Sequence, residues 1–513
     1  MSFMFNQINS VNSKFARAGS FNTDIGMFTG FTPIDVIASN MESVPDHDVT
    51  ILNGGLFNNP YNEIGMSAVG KTTLWIQAIS SAMTNWYRYY GPVTECIFYN
   101  VENHTTPRRW MDISGYDERM MNERVRFISK SLSIIEIYND IAAFANEKSK
   151  HIKDLTIDTG ILSVSGETVK ILPTTYVLID SIAAVRIKSE VELDKDGNIK
   201  DDDTIAGATN MDAMRSAKDN TMFINEVKKL CESVKICIIM TNHLVEVPVL
   251  DRYNPPKPVL PSLKFTQRLK GGNELIFQSF GVNLLTVLER LFNEKSKIYG
   301  DSVHGLIAMM EWAKNKNGPE GVKYPMVFDS ATGYKPELGD FEILYRSGSC
   351  YGISGSPASY YMDILPEVKF TRKTLLSRCY ENPLLARAIG FTTRLYLVSE
   401  IILRENPPDI RGIGEVDYES RIDMILKHSI DYPGYFERGL LVDKELIEST
   451  KTYDMMLNRY DSFNLSIDKQ DIEFMKCGGD VIISDNSFSV MGNEIKLEGT
   501  EYIVADSNDW NSK

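Results

Sequence analysis

The chain has 513 residues, 43% of them hydrophobic, and a formal net charge of −15 at pH 7. A chain of this length exceeds the size at which one hydrophobic core keeps growing, so two or three domains are expected. No apolar run approaches the roughly 18 to 20 residues of a membrane span, and residues 1–20 lack a signal-peptide core, which excludes an integral membrane protein and favours an intracellular one.

The cysteines and the distribution of charge limit the classes of protein further. Six cysteines are scattered without a C-x-x-C pair, which argues against a zinc site and a disulfide framework and predicts buried thiols in a reducing compartment. Residues 401–513 hold nearly twice as many acidic as basic residues. Because most of the negative charge lies in this last fifth, the net charge does not exclude nucleic acid as a partner.

Residues 1–30 are polar, with phenylalanines spaced through Asn and Ser. Such a segment is typical of an arm that docks on a neighbouring subunit, and equally of a frayed terminus. From Phe28 onward, strand and helix signals alternate, which predicts a parallel sheet with crossover helices.

The stretch 61–75 contains the complete pattern G-x-x-x-x-G-K-[ST], between an apolar strand signal (Tyr61 to Ile64) and a helix-like run from about Thr73 to Tyr90. Glycines in such a loop let backbone N–H groups surround a phosphate chain, Lys71 reaches the β/γ-phosphates, and the Thr72 hydroxyl can ligate Mg²⁺. The helix that follows directs its positive dipole at the same phosphates. The predicted phosphate site consists of Gly65, Met66, Ser67, Ala68, Val69, Gly70, Lys71, Thr72 and Thr73.

Further strands are predicted downstream of this loop. Glu95 to Val101 is a buried-strand run, and residues 155–175 alternate as a hairpin turning at 165–166, which we interpret as an insertion on the sheet edge. The run Tyr176 to Asp180 is an apolar strand that ends in an acid. A carboxylate at the carboxyl end of a buried strand, beside the phosphate loop, can hold the Mg²⁺ shell, so Asp180 and Thr72 are the predicted metal residues.

A long loop, residues 244–272, follows the predicted strand 236–241 and contains five prolines. Cations can track the phosphates of a single strand while aromatic rings stack on its bases, so the loop is a candidate contact for single-stranded nucleic acid. A solvated loop is the alternative. The candidate residues are Arg252, Tyr253, Lys257, Lys264, Phe265, Arg268 and Lys270.

Further motifs are Phe28 to Ala38, Thr241-Asn-His243 and Gly271-Gly-Asn-Glu-Leu275. Together with several of the motifs above, they fall in the order seen in RecA-type recombinases, the bacterial RecA and phage UvsX proteins. The chain resembles these proteins from about residue 28 to 395. The resemblance implies an α/β fold: a RecA-like P-loop ATPase core with a mostly parallel sheet and crossover helices. It divides the chain into an N-terminal oligomerisation arm (1–30), the core with its DNA-binding loops (31–345) and an acidic α+β C-terminal domain (346–513).

The resemblance also implies a function. The expected protein is an ATP-dependent homologous recombinase, a DNA-dependent ATPase that requires ATP and Mg²⁺, assembles as a helical filament on single-stranded DNA and exchanges strands with a duplex. Mediator or single-strand-binding proteins are further expected partners. The expected location is the cytoplasm or nucleoid, or the phage replication compartment of an infected host. Two alternatives stay open: a hexameric DnaB-like helicase, and an ATP-gated DNA-coating filament without strand exchange.

Individual residues take roles from the same resemblance. Glu102 matches the catalytic glutamate that polarises the attacking water, and His243 occupies the position that senses the γ-phosphate and passes the signal into the following loop. Residues 189–210 match the first DNA loop and 244–270 the second. Arg215, just beyond the first loop, is a candidate phosphate contact.

Two further positions concern the nucleotide. Lys314 and Lys316 match the two lysines that reach across the subunit interface to the neighbour's ATP. The aromatic residue that usually stacks on adenine is replaced near Pro107 by Arg109, with Trp110 adjacent, and either side chain could cover the base. Residues 323–329 match the last strand of the core.

Overall fold

The computed structural model describes residues 29–38, 41–44, 49–52, 55–90, 92–130, 132–162, 168–185, 210–246, 257–270, 272–291, 298–300, 303–347, 352–363, 365–397, 488–490, 493–497 and 500–502. The helices within these residues are, in chain order, α1 (Thr32–Ile37), α2 (Lys71–Tyr90), α3 (Pro107–Ser114), α4 (Glu118–Arg124), α5 (Ile134–Lys150), α6 (Ile152–Leu155), α7 (Asn210–Val234), α8 (Glu274–Gln278), α9 (Pro336–Arg346), α10 (Leu375–Glu381) and α11 (Pro383–Tyr396).

The strands of the same residues follow in the same way. They are β1 (Met41–Val44), β2 (Val49–Leu52), β3 (Pro60–Gly65), β4 (Cys96–Asn100), β5 (Val125–Ile128), β6 (Ile157–Leu162), β7 (Thr168–Ile171), β8 (Thr175–Asp180), β9 (Ile236–Glu246), β10 (Gln267–Leu269), β11 (Gly281–Arg290), β12 (Gly305–Asn315), β13 (Lys323–Asp329), β14 (Gly333–Lys335), β15 (Ile353–Ser356), β16 (Ser359–Met362), β17 (Leu365–Phe370), β18 (Phe488–Val490), β19 (Asn493–Leu497) and β20 (Thr500–Tyr502).

One large mixed sheet organises the chain, with strand order β14-β13-β12-β11-β3-β9-β8-β4-β5. Every neighbouring pair from β11 to β5 is parallel, whereas β12, β13 and β14 extend the sheet in antiparallel fashion beyond β11. The expected mostly parallel core is therefore confirmed. Residues 323–329 form β13 as expected, and β14 adds one further edge strand beside them.

Helices cover both faces of the parallel strands. β3, β4 and β8 are buried along their whole length, as continuous apolar strands of a parallel sheet must be. Helix α2 packs on one face through residues such as Leu74 and Ile79. Helices α5 and α7 pack on the other through Ile141 and Ile224. The sheet is consequently held rigid between two apolar layers, and its strand ends can position side chains.

The antiparallel edge supports the phosphate loop from the side. The Tyr334 hydroxyl donates to the Val69 carbonyl at 3.0 Å, and its backbone exchanges two hydrogen bonds with the Gln77 side chain of α2. Gly70 has φ +86°, and a Cβ there would lie 2.8 Å from the Tyr334 hydroxyl. Glycine at this position is thus required by both the backbone angle and the available space.

Smaller sheets accompany the large one. β6 and β7 pair with each other, so the expected hairpin is confirmed, although its turn at 165–166 lies outside the described residues. The interpretation of the hairpin as an insertion on the edge of the main sheet is wrong, because the two strands form a separate sheet. β15, β16 and β17 form a small antiparallel sheet beyond α9. Buried Glu342 of α9 accepts from Arg346 at 2.6 Å and from Arg372, which lies between this sheet and α10. This buried ion cluster ties the small sheet to the core.

Several expected features lie outside the described residues. These are residues 1–28 of the arm, nearly all of the first DNA loop (186–209), residues 247–256 with Arg252 and Tyr253, and residues 398–487. Of the six cysteines, Cys96, Cys231, Cys237 and Cys379 are described, and all four are free and buried, as expected. No helix in the described part of the chain is long and apolar enough to cross a membrane.

Candidate functional site

The candidate site lies at the carboxyl edge of the parallel strands. β3 ends in the phosphate loop, β8 ends at Asp180, β4 leads to Glu102, and β9 carries His243 in register with Gly65. The order β3-β9-β8-β4 makes these four strands neighbours. Carboxyl ends of adjacent parallel strands form the usual ligand-binding edge of α/β sheets, so residues far apart in the sequence meet here.

The phosphate loop has the geometry that a phosphate chain requires. Ala68 and Gly70 both adopt left-handed φ angles, which turn consecutive N–H groups toward one side of the loop. Residues 66–68 are exposed, and α2 begins at Lys71 with its free N–H groups pointing to the same side. A loop of this shape presents its N–H groups as an anion-binding concavity.

Lys71 is buried behind the loop. Its Nζ donates to the carbonyls of Gly65 at 3.1 Å and Met66 at 2.8 Å. Burial lowers its pKa, and the nearby acidic side chains of Glu63, Asp180 and Glu102 oppose that shift. The carbonyls of the loop therefore hold the ammonium group in place.

Thr72 and Asp180 are in direct contact, as a shared metal site requires. The Thr72 hydroxyl donates to Asp180 Oδ1 at 2.9 Å, and Thr241 of β9 donates to the same oxygen at 2.6 Å. Burial raises the pKa of Asp180, while these two hydroxyl donors lower it. The carboxylate is thus oriented by both neighbouring elements.

The donor set suits Mg²⁺ better than a transition metal. The described residues contain no group of three or more His, Cys, Asp or Glu side chains that could hold a metal ion. Thr72 and Asp180 supply one hydroxyl and one carboxylate. Mg²⁺ favours such a sparse set, because it keeps several waters and takes its remaining ligands from phosphate oxygens.

Glu102 lies beside this pair and is held by three side chains. His243 Nε2 lies 2.9 Å from Oε1, and the Ser181 hydroxyl donates to the same oxygen. His104 Nδ1 lies 3.3 Å from Oε2 on the solvent side. The Glu102 backbone N–H donates to the Asp180 carbonyl at 3.1 Å, which fixes the distance between the two acids.

The electrostatics keep Glu102 ionised. The hydrogen bond from His243 is the largest cause lowering its pKa to about 2, burial opposes it, and Ser181 adds to it. Glu102 and Asp180 therefore differ in environment: the Glu102 carboxylate faces hydrogen-bond donors near solvent, and the Asp180 carboxylate is buried. A carboxylate that stays ionised can orient a water molecule by accepting its hydrogen bond.

Arg109 and Trp110, the two residues expected to cover the adenine base, lie in different environments. Arg109 is half-buried, and its guanidinium donates to the carbonyls of Ala331 at 2.5 Å and Ser330 at 2.9 Å, at the turn between β13 and β14. Trp110 is fully buried, with its ring 5.1 Å from that of Phe98. The expectation that Trp110 could cover a base is therefore wrong, because helix α3 points it into the core.

Lys314 and Lys316 lie at the opposite edge of the sheet. Gly281 of β11 pairs with both Asn315 and Tyr61, which places the end of β12 at the amino end of β3. The four-residue rise from Tyr61 to Gly65 amounts to about 13 Å. Lys314 Nζ also donates to the carbonyls of Ile276 and Phe277, just before β11, so this side chain is directed away from the phosphate loop of its own chain.

The segment expected to form the second DNA loop, residues 244–270, follows His243, and its first three residues complete β9. β10 pairs antiparallel with residues 244–246 of β9, and the Lys270 N–H donates to the His243 carbonyl at 3.1 Å. Lys257, Lys264, Phe265 and Lys270 are exposed, whereas Arg268 is half-buried and bonds to carbonyls of its own loop. Arg215 falls within α7, and its side chain lies outside the described part of the chain.

Sequence reasoning missed three contributors to the site. Ser181 and Thr241 each donate to a predicted carboxylate, and His104 contacts Glu102. Ser181 and His104 follow a predicted site acid by one and two residues, which is the signal that could have identified them. Thr241 carries no local signal, because its role depends on the pairing of β9 with β8.

No protein-family model and no curated protein matches this chain.

Proposed function

We propose that this protein is an ATP-dependent recombinase of the RecA type, a DNA-dependent ATPase that forms filaments on single-stranded DNA and exchanges strands with a duplex. ATP and Mg²⁺ are its proposed ligands. The single observation that carries the proposal is the assembly of Lys71, Thr72, Asp180 and Glu102 at one sheet edge. This edge lies beside the basic loop, residues 244–270, which follows His243.

The chemistry follows from the placement of these side chains. Lys71 and the loop N–H groups would bind the phosphates, and Thr72 and Asp180 would hold Mg²⁺, which would supply positive charge to the phosphate oxygens. Glu102 orients the attacking water from the solvent side, while His243 and Ser181 hold its carboxylate in position. The phosphoryl group then passes to that water, and ADP and phosphate remain.

Assembly into filaments is proposed because the site is incomplete within one chain. In the described residues, the cations Lys314 and Lys316 belong to the edge about 13 Å from the phosphate loop. A second copy can bring that edge to the nucleotide, and the added positive charge would stabilise the transition state. Hydrolysis would then depend on assembly.

His243 supports a link between nucleotide and DNA. Its ring contacts Glu102, and its carbonyl accepts from Lys270 at the base of the basic loop. A change at the terminal phosphate that moves Glu102 would therefore move the start of the loop. DNA affinity that depends on the bound nucleotide is the expected consequence.

Electron microscopy of the full chain with single-stranded DNA and a slowly hydrolysed ATP analogue tests the proposal. An open helical filament supports it. Closed rings would favour the DnaB-like helicase, and the absence of any nucleotide-dependent assembly would reject both. Strand-exchange assays with homologous and heterologous duplex then separate a recombinase from a DNA-coating filament.

A further inference from the structure

Three lysines form a cluster at the amino edge of the sheet. Lys314 and Lys316 come from the end of β12, and Lys228 comes from α7, which packs on the same face as α8. Burial, followed by the charges of Lys316 and Lys228, lowers the pKa of Lys314, and Glu320 opposes this shift. Burial, followed by the charge of Lys316, lowers the pKa of Lys228. Lys228 was not among the residues expected from the sequence.

The cluster is held by uncharged acceptors. Lys228 Nζ donates to Gln278 Oε1 at 2.8 Å, and Lys314 Nζ donates to the carbonyls of Phe277 at 2.6 Å and Ile276 at 3.2 Å. Among the described residues, none of the three lysines forms an ion pair with a carboxylate. The adjacent Lys229 differs, since its Nζ lies 2.8 Å from Glu226 Oε2.

Such an arrangement is unfavourable in the isolated chain. Three like charges repel one another, and two of them are half-buried and have lost part of their hydration. Uncharged carbonyl and amide oxygens hold the ammonium groups of Lys228 and Lys314. The Glu320 carboxylate also acts on Lys314, with a smaller effect than either neighbouring lysine. An anion that enters from outside the chain would relieve the repulsion, so the geometry points to an anion-binding site.

The position of the lysine cluster relative to the phosphate loop indicates which anion it would bind. The cluster lies at the end of the sheet opposite the phosphate loop, and the basic loop is anchored at the other edge through His243 and Lys270. We propose that Lys228 is the third cation of a site that binds the terminal phosphates of a nucleotide carried by a second copy of this chain. This inference rests on the proposed function and adds Lys228 to the residues that contact phosphate.

Steady-state ATP hydrolysis by the full chain with single-stranded DNA tests the inference, in the wild type and in Lys228→Ala, Lys228→Arg, Lys229→Ala and Lys314→Ala. We expect Lys228→Ala to lower kcat about tenfold or more, because a preorganised charge at a developing anion is lost. Lys228→Arg should retain most activity. Lys229→Ala, the matched control on the same helix, should behave like the wild type.

Mixing two variants separates a role across the interface from a role in folding. Glu102→Gln subunits should bind ATP and present an intact lysine cluster but not hydrolyse ATP. If Lys228 serves the neighbouring nucleotide, a mixture of Lys228→Ala and Glu102→Gln proteins will hydrolyse ATP at several times the sum of their separate rates. A purely additive rate would overturn the inference.

Two other results would also overturn it. The first is a Lys228→Ala variant that hydrolyses ATP at the same rate as Lys229→Ala, while the wild type is active and Lys314→Ala is impaired. This result would leave the proposed function intact. The other is a Lys228→Ala variant that hydrolyses ATP normally but binds DNA more weakly without nucleotide, since the anion would then be a DNA phosphate. A wild type without ATPase activity would reject the proposed function and this inference together.

Discussion

The imidazole of His243 and the carboxylate of Glu102 are 2.9 Å apart, although 141 residues separate them in the chain. His243 lies on β9 just before the basic loop, and Glu102 follows β4, on the far side of β8. The contact therefore spans the edge at which nucleotide is expected and ends at the base of the loop expected to bind DNA.

We predict that His243→Ala uncouples the two ligands. In the wild type, an ATP analogue should tighten DNA binding by a coupling of about 1 to 3 kcal/mol, which is roughly five- to 150-fold. The variant should bind the nucleotide but lose most of this difference. Fluorescence anisotropy of labelled single-stranded DNA, with and without the analogue, measures it. An unchanged ratio would remove His243 from the coupling.

Glu102→Gln should spare nucleotide binding and lower kcat by about 100- to 10,000-fold, because an amide accepts the water's proton poorly while its shape is preserved. A fluorescent nucleotide titration and a phosphate-release assay measure the two quantities. Hydrolysis at the wild-type rate in this variant would exclude Glu102 from the mechanism.

Thr72→Ala should raise the Mg²⁺ concentration needed for half-maximal hydrolysis by about tenfold or more, because it removes a hydroxyl that contacts Asp180. Thr72→Ser keeps the hydroxyl and is the matched control. Hydrolysis measured over a Mg²⁺ series distinguishes them. The same Mg²⁺ dependence in both variants would place the metal elsewhere.

Glu63 gives a prediction about stability. It is fully buried below the phosphate loop, accepts from Trp75 Nε1 at 3.2 Å, and burial raises its pKa from 4.5 to about 8. The folded protein keeps a proton that the unfolded chain releases, so this group's contribution is full below about pH 4.5 and is lost as the pH rises through about 8.

Glu63→Gln has no proton to lose. The free energy of unfolding of Glu63→Gln relative to that of the wild type should therefore increase from about pH 4.5 to about pH 8 and stay constant above it. The total increase should be on the order of several kcal/mol. Urea unfolding at pH values spanning the window measures the difference, with exposed Glu118→Gln as control. Parallel stability curves for wild type and Glu63→Gln would contradict an ionisable Glu63 with a raised pKa.

The basic loop can be tested through salt. Lys264→Ala and Lys270→Ala should each reduce the slope of log K against log salt concentration for single-stranded DNA by about 0.7. Phe265→Ala should instead weaken binding by about 1 to 3 kcal/mol at every salt concentration, because it removes stacking and not charge. Exposed Lys153→Ala, far from the loop, should change neither. Slopes unaffected by both lysine variants would place the DNA elsewhere.

Local patterns sufficed where consecutive residues encode a conformation. The phosphate loop, the strand that ends at Asp180 and the β6/β7 hairpin all occur where the sequence predicts them, because their backbone angles and burial follow from a few adjacent residues. The start of α2 lies only two residues before the predicted one, a difference that is common at helix ends.

Contacts between distant segments needed the tertiary structure. From the sequence, Trp110 was a candidate to cover a base, yet α3 buries its ring against that of Phe98. β14 is only three residues long and carries no strand signal of its own, so its pairing with β13 decides it.

The sequence by itself determined the phosphate loop, the acids at the carboxyl ends of β4 and β8, and the alternation that builds a parallel sheet. Only the tertiary structure decided that His243 and Ser181 hold Glu102, that Thr241 orients Asp180, and that Lys228 joins Lys314 and Lys316. The physical reason is strand order: which side chains meet depends on the sheet's arrangement, and that arrangement depends on the burial of both apolar faces together, not on any one segment.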